Sequence, residues 1–276
     1  MYNFYLWFYP VMAAIVGVFI GSFINVVIYR LPLMIYAQSN GEPDAGKINL
    51  WWPPSHCPGC GTPVWRRDNI PVLSWLLRKG KCRHCNGHIS AQYLISEILC
   101  GVFFTLLTLK AWPNFTEAQI CCFFLYFCLL YTLSVIDFQH LLLPDTLVSL
   151  LLWSGLVASI SGLTGLQPRS AIVGAVAAWL LLYSVMTGYE KLRGREGLGY
   201  GDVKLMAAIS AWLGIEKLPE LIVWSAVSGI VIYVLCACLN KRRALHENAD
   251  EAEKHYIPFG PSISVAALVL FFSGQF

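Results

Sequence analysis

AQICCFFLYFCLLYTLSVID, residues 118–137, carries no charged side chain from Ala118 to Ile136 and then stops on Asp137. The hydrocarbon layer of a bilayer takes roughly 20 apolar residues, so this stretch reads as a transmembrane helix ending on a carboxylate. Outward from it, Phe8–Ile28, Tyr93–Trp112, Pro144–Leu163, Ser170–Tyr189, Pro219–Leu239 and Phe259–Phe276 read the same way. Val203–Leu218 is shorter, about 24 Å as a helix, and must end near an interface or sit inside the bundle. With 57% hydrophobic and 13% charged residues and a mean hydropathy of +0.60, the chain exceeds what a soluble core requires. The fold expected is an all-α polytopic membrane protein with about eight transmembrane helices.

Met1–Pro10 contains no Lys or Arg, so no positive n-region precedes the first apolar run, which reads as a retained helix. With eight spans, 16 of the 19 Lys and Arg residues fall in the odd loops: 8 in the first, 0 in the third, 4 in the fifth and 4 in the seventh. Positive loops stay cytoplasmic, which puts both termini outside and the loops bearing Asp137 and Asp202 inside. This bias accounts for the net charge of +3 and leaves nothing to suggest nucleic-acid binding. Asn240–His255 reads as a solvated, mobile connector.

The sizeable polar segment, 31–92, holds Pro53, Pro54, Pro63 and Pro71 and basic clusters at Arg66-Arg67 and Arg78–Lys81. A domain of this size needs a staple. Cys57-Pro-Gly-Cys60 and Cys82-Arg-His-Cys85, 21 residues apart, supply two thiol knuckles suited to a tetrahedral structural zinc, with a spacer slightly beyond the usual window. Disulfides are disfavoured in a reducing cytosol. His56 and His84 flank a shell that four Cys already close. Cys100, Cys121, Cys122, Cys128, Cys236 and Cys238 lie in apolar runs and read as small buried hydrophobes.

Asp137 ends one helix, where the dipole disfavours a negative charge, and Asp202 begins another, where an anion is welcome. Opposite helix ends favour opposite protonation states, one carboxyl neutral and one ionised, which is what general acid–base work requires. Gly197, Gly199 and Gly201 outnumber what a helix start needs and admit a close neighbour or an extended substrate. A phosphate loop is not supported: no strand precedes the turn and the GK[ST] ending is missing. Asp145 after Pro144 reads as a cap or first-turn residue, ranking behind Asp137 as the dyad partner. Lys204 either balances the dyad's charge, meets an acidic substrate residue or snorkels at the interface.

Gly21-Ser-Phe-Ile-Asn-Val-Val-Ile-Tyr-Arg-Leu-Pro32, the two knuckles, Asn69-Ile-Pro-Val-Leu-Ser-Trp75, Gly80-Lys-Cys-Arg83, Ile136-Asp137, Leu143-Pro-Asp145, Gly197-Leu-Gly-Tyr-Gly-Asp202 and Ile257-Pro-Phe-Gly-Pro261 together resemble the bacterial type IV prepilin leader peptidases, a family of GxGD aspartic proteases that includes the enzymes processing type II secretion pseudopilins. The resemblance implies cleavage of a short basic leader at the cytoplasmic face of the inner membrane, after a Gly. It also implies N-methylation of the new terminus with S-adenosylmethionine. It maps the catalytic pair onto Asp137 and Asp202 and the zinc ligands onto Cys57, Cys60, Cys82 and Cys85; Gly199, Gly201 and Lys204 read from the residues themselves as the substrate-binding, active-site loop. The chain divides accordingly into a first helix (1–30), a cytosolic tetra-Cys domain (31–92) and a seven-helix peptidase domain (93–276). No glycine-rich methyltransferase motif is visible; Glu97 and Gly101 are candidate contributors to the methyl-donor site, Glu97 equally an interfacial helix-start acid. Competing readings are a GxGD protease with another membrane-anchored substrate, and a proton-coupled transporter, which would want its carboxylates near mid-membrane.

Overall fold

The computed structural model describes residues 2–41, 48–194, 197–243 and 258–275; most of the Asn240–His255 connector and the side chains of Cys236 and Cys238 lie outside them. The described residues form helices α1 (Tyr2–Ser39), α2 (Leu73–Leu77), α3 (Ala91–Ala111), α4 (Glu117–His140), α5 (Asp145–Ile160), α6 (Pro168–Arg193), α7 (Tyr200–Leu213), α8 (Leu218–Arg243) and α9 (Gly260–Gln275), with isolated bridges in place of strands. Among the described residues, five stretches are long and apolar enough to cross a membrane: Trp7–Ser39, Ala91–Ala111, Glu117–His140, Pro168–Arg193 and Ile215–Val234. At 16 residues each, α5 and α9 reach about 24 Å, short of the ~30 Å hydrocarbon layer. The expected helix Val203–Leu218 is broken: Gly214, at φ 80, ends α7, and a 3₁₀ turn, Ile215–Lys217, leads into α8. The chain divides into two compact units, Met1–Phe124 and Leu125–Phe276, with the boundary inside α4.

In the first unit α1 continues to Ser39, past the apolar run that ends at Ile28. Its contact with α3 is built on small residues. A Cβ on Gly17 would lie 2.7 Å from the Cys100 carbonyl oxygen, and one on Gly21 would lie 2.8 Å from the Glu97 Cα, so only glycine lets the backbones approach this closely. One turn further, the Asn25 side chain donates to the Tyr93 carbonyl at 3.1 Å. Positions 17, 21 and 25 of α1 therefore meet 100, 97 and 93 of α3, an antiparallel stripe. Beyond it the buried Arg30 guanidinium donates to the Asn49 and Pro53 carbonyls at 2.9 and 2.6 Å and ties the polar segment to the helix.

The knuckles are built alike. The Cys57 N–H donates to Thr62 O at 3.0 Å and Gly61 N–H to Cys57 O at 2.9 Å; in the second, Cys82 N–H donates to Gly87 O at 2.9 Å and Asn86 N–H to Cys82 O at 3.1 Å. Gly61 and Asn86 hold the same place after the second Cys of each knuckle, at φ 68 and 54, a conformation open to Gly and tolerated by Asn. Asp68 accepts from Arg78 at 3.2 Å and Arg83 at 2.8 Å and so closes the basic loop onto itself.

In the second unit α7 is enclosed: every residue from Leu205 to Leu213, and Val203 before them, is buried. A helix apolar all round has to lie inside a bundle, and α5, α6 and α9 pack around this one. The Trp212 ring lies over Gly155, where a Cβ would approach within 2.5 Å, and its Nε1–H donates to Leu151 O at 2.8 Å. The Tyr126 ring packs at a tilt against both Trp212 and Phe271, each with centroids 4.6 Å away. Trp153, Ile160, Leu180 and Ile230 point outward, an apolar exterior suited to lipid.

Candidate active site and metal centre

Asp137 occupies the last turn of α4 and Asp202 the first turn of α7. Sixty-five residues apart in sequence, they lie close enough for the charge of Asp137 to act on Asp202. Asp137 is 6% exposed, and Asp202 is half-buried. Ionising both carboxyls in such a place would set two desolvated like charges against each other.

The Gly260 N–H, at the start of α9, donates to Asp137 Oδ2 at 2.8 Å. There is no room there for a side chain: a Cβ on Gly260 would stand 2.7 Å from that oxygen. Sequence reasoning did not pick out this donor. It lies 123 residues from Asp137, and the Pro258-Phe-Gly-Pro261 stretch was its only trace.

Gly199, the residue before α7, faces the Asp202 carboxyl; a Cβ would lie 3.2 Å from Oδ2. Gly201 faces Leu143 instead, at 3.1 Å, and Gly197 the Tyr189 ring. Lys204 binds Asp145 Oδ1 at 2.7 Å and lies 4.5 Å above the centroid of Tyr200. The structure thus joins Asp145, at the head of α5, to Lys204 on α7, outside the Asp137–Asp202 pair.

The ligand atoms of Cys57, Cys60, Cys82 and Cys85 all lie within 4.8 Å of one another, with Cys57 Sγ to Cys85 Sγ at 3.8 Å and Cys60 Sγ to Cys82 Sγ at 4.0 Å. Zn–S bonds of about 2.3 Å place tetrahedral sulfurs about 3.8 Å apart, so the donor set fits a zinc-type ion. Backbone N–H groups of Cys85 and His84 pull the Cys82 thiol down to about 6, leaving a thiolate ready at neutral pH. Of the remaining Cys, Cys100 is buried as expected, whereas Cys121 is exposed and Cys122 and Cys128 are half-buried, on a helix whose outer face is apolar. Glu97, on α3, is buried, and its Oε2 accepts from the Val72 N–H at 2.7 Å.

Residues 15–111 match the bacterial peptidase A24 N-terminal domain and residues 122–234 match the type IV leader peptidase family. A protein of Pectobacterium carotovorum subsp. carotovorum named prepilin leader peptidase/N-methyltransferase is 38% identical over 92% of this chain and 89% of its own length. The chain belongs to the type IV leader peptidase family. Family members of the same name from Burkholderia pseudomallei (strain K96243) and Dickeya chrysanthemi are 36% and 39% identical, covering 96% and 80% of this chain and 85% and 80% of their own. No solved structure matches. The first family region ends with α3 at residue 111 and the second begins at residue 122, inside α4 and close to the division between the two units.

Proposed function

We propose that this chain is a prepilin leader peptidase and N-methyltransferase. It removes the leader of a type IV prepilin or type II secretion pseudopilin at the cytoplasmic face of the bacterial inner membrane, then methylates the exposed amine. The observation that carries this reading is the meeting of Asp137 and Asp202 at the ends of two helices in a family of leader peptidases. One carboxylate takes a proton from water as the water attacks the scissile carbonyl; the other, protonated, donates to the carbonyl oxygen; the roles then reverse for the leaving amine. The Gly260 N–H fixes one oxygen of Asp137 and leaves the other for the water. Gly199 keeps side-chain bulk away from the Asp202 carboxyl, so an extended substrate backbone can approach, with Gly201 lowering bulk on the next turn. Lys204, through Asp145, fastens α7 to the segment that follows Asp137.

Cys57, Cys60, Cys82 and Cys85 would hold one zinc ion as a folding clip; four thiolates leave no open position for a catalytic water. S-adenosylmethionine supplies the methyl group when bound. The span count of eight is completed by α5, α7 and α9 as short crossings; with the positive loops inside, both termini lie outside the cytoplasm. The test is mass spectrometry of a coexpressed prepilin, reading leader loss and the methyl increment. Asp137→Asn and Asp202→Asn should each abolish leader loss while Asp145→Asn retains it. Cleavage by either dyad variant would overturn the assignment.

A further inference from the structure

The polar segment turns an apolar face outward at α2. Leu73, Leu76 and Leu77 stand at i, i+3 and i+4, one side of the helix, and are 56%, 52% and 82% exposed. The other side is engaged inward. The Ser74 hydroxyl accepts from the Ile70 N–H at 3.1 Å and donates to Arg67 O at 3.2 Å; the Trp75 ring lies against Gly80, with its Nε1–H on Ile89 O at 3.4 Å. A five-residue helix that ties its serine inward and shows three leucines is inverted for a watery setting, so an apolar medium covers it.

The height of α2 along the membrane helices identifies that medium. Val72, the residue before α2, donates its N–H to Glu97 Oε2 at 2.7 Å. Glu97 lies about 9 Å along α3 from its first residue, Ala91, by the 1.5 Å rise. It meets α1 at Gly21, inside the apolar run that ends at Ile28. By both helices the start of α2 is therefore level with apolar helix surface, and near that level α3 turns Ile95 and Ile98 outward. A second contact falls at a similar height: the Trp51 ring, 82% exposed, sits 6.0 Å from the ring of Phe23, between Gly21 and Asn25 on α1. Arg67, Lys79 and Lys81 are exposed in the same segment. Exposed Trp and Leu together with cations is the composition of a membrane–water interface.

We propose that α2 is a foot set into the bilayer: Leu73, Leu76 and Leu77 enter the headgroup–acyl boundary of the leaflet on their own side, and Arg67, Lys79 and Lys81 meet anionic phospholipid headgroups. The partner is the lipid leaflet because the apolar patch is level with the outward surface of the spans and its surroundings are cationic. The foot sets the height of the second knuckle over the membrane. Trp75, among the leucines, packs on Gly80, whose carbonyl accepts from Ile89 N–H at 2.8 Å, and Cys82 and Cys85 lie between those two residues. The proposal needs the membrane spans and neither the peptidase nor the methyltransferase reading.

The test is electron paramagnetic resonance on the full chain in nanodiscs of phosphatidylethanolamine and phosphatidylglycerol. A nitroxide amino acid is placed at Leu77 and, as the water reference, at the exposed Gln38 near the end of α1. Oxygen, which concentrates in lipid, and a neutral nickel chelate, which stays in water, together report depth from their collision rates. The Leu77 label should read as about 5–10 Å into the headgroup–acyl boundary, the depth of an interfacial helix, and the Gln38 label as in water. A nickel-chelate rate at Leu77 equal to that at Gln38 overturns the proposal. Shielding from both reagents overturns it too, because a protein surface such as a second copy would then cover the leucines. A second measurement moves the label to Leu73 and adds Leu76→Asp with Leu77→Asp, with equal elution and helical circular dichroism establishing that the variant folds. The Leu73 label should then rise to the nickel-chelate rate of Gln38; a label that keeps its depth shows that the leucines do not hold the foot in lipid and overturns the proposal.

Discussion

Replacing Gly260 by alanine adds one methyl group to the wall of the Asp137 site. Its Cβ would lie 2.7 Å from Asp137 Oδ2, closer than real methyl groups come, and a tight 3.0 Å from both Cβ and Cγ of that residue, so either α9 or the carboxyl must move. Either movement breaks the 2.8 Å hydrogen bond from the Gly260 N–H. A hydrogen bond to a charged acceptor contributes about 1.5–3 kcal/mol, and each 1.36 kcal/mol is a factor of ten in rate, which sets a loss of roughly 10- to 100-fold. Displacing a reacting group by about 1 Å costs on the order of 10²-fold as well. We expect kcat/KM for leader cleavage to fall about 100-fold, mainly in kcat, because the substrate's distant binding contacts are untouched. The assay is mass-spectrometric timing of prepilin cleavage by purified enzyme across a pH series, since a displaced Asp137 also changes how the pair shares its proton. Gly188→Ala on α6 is the control: a Cβ there meets nothing within 4 Å, so it should stabilise by about 0.5–1 kcal/mol and leave cleavage unchanged. Wild-type rates and an unaltered pH profile in Gly260→Ala would refute the reasoning.

The metal centre makes a separate prediction: replacing Cys57 and Cys85 by serine should lower zinc content and expose 48–90 to limited proteolysis, and elemental analysis finding no zinc in reduced wild-type protein would count against the clip. Topology is checked with reporters, one after Gln92 expected inside and one at the C-terminus expected outside; an inside signal at the C-terminus would mean an odd number of crossings, with α7 the first helix to suspect.

Ala118–Ile136 was legible as a membrane helix because hydropathy is a local property, and the same holds for the apolar parts of α1, α3, α6 and α8. The helix limits were less legible. Beyond Ile28 the chain turns polar but stays helical through Pro32 to Ser39, and hydropathy marks where lipid ends rather than where hydrogen bonding does. The break at Gly214 was hidden inside one apolar run, since a single positive φ reverses a chain without changing its polarity. The knuckles were readable because their four Cys are paired locally, two to each turn. What no local pattern carried were the long-range partnerships: Asp145 with Lys204, Val72 with Glu97, and Asp137 with the Gly260 N–H.

The stripe of Gly17, Gly21 and Asn25 along α1 has a bearing on how this helix tolerates change. Steps of four residues keep all three on one side, so the glycine contact with α3 and the Asn25 hydrogen bond share a single helical phase. Each residue advances an α-helix by about 100°. One residue inserted between Gly21 and Asn25 would leave the upper contact seated and swing Asn25 and Arg30 to another side, whereas a full heptad inserted there would return them close to their bearing one storey lower. The membrane contact and the polar segment are thereby geared to each other by angle as well as by distance.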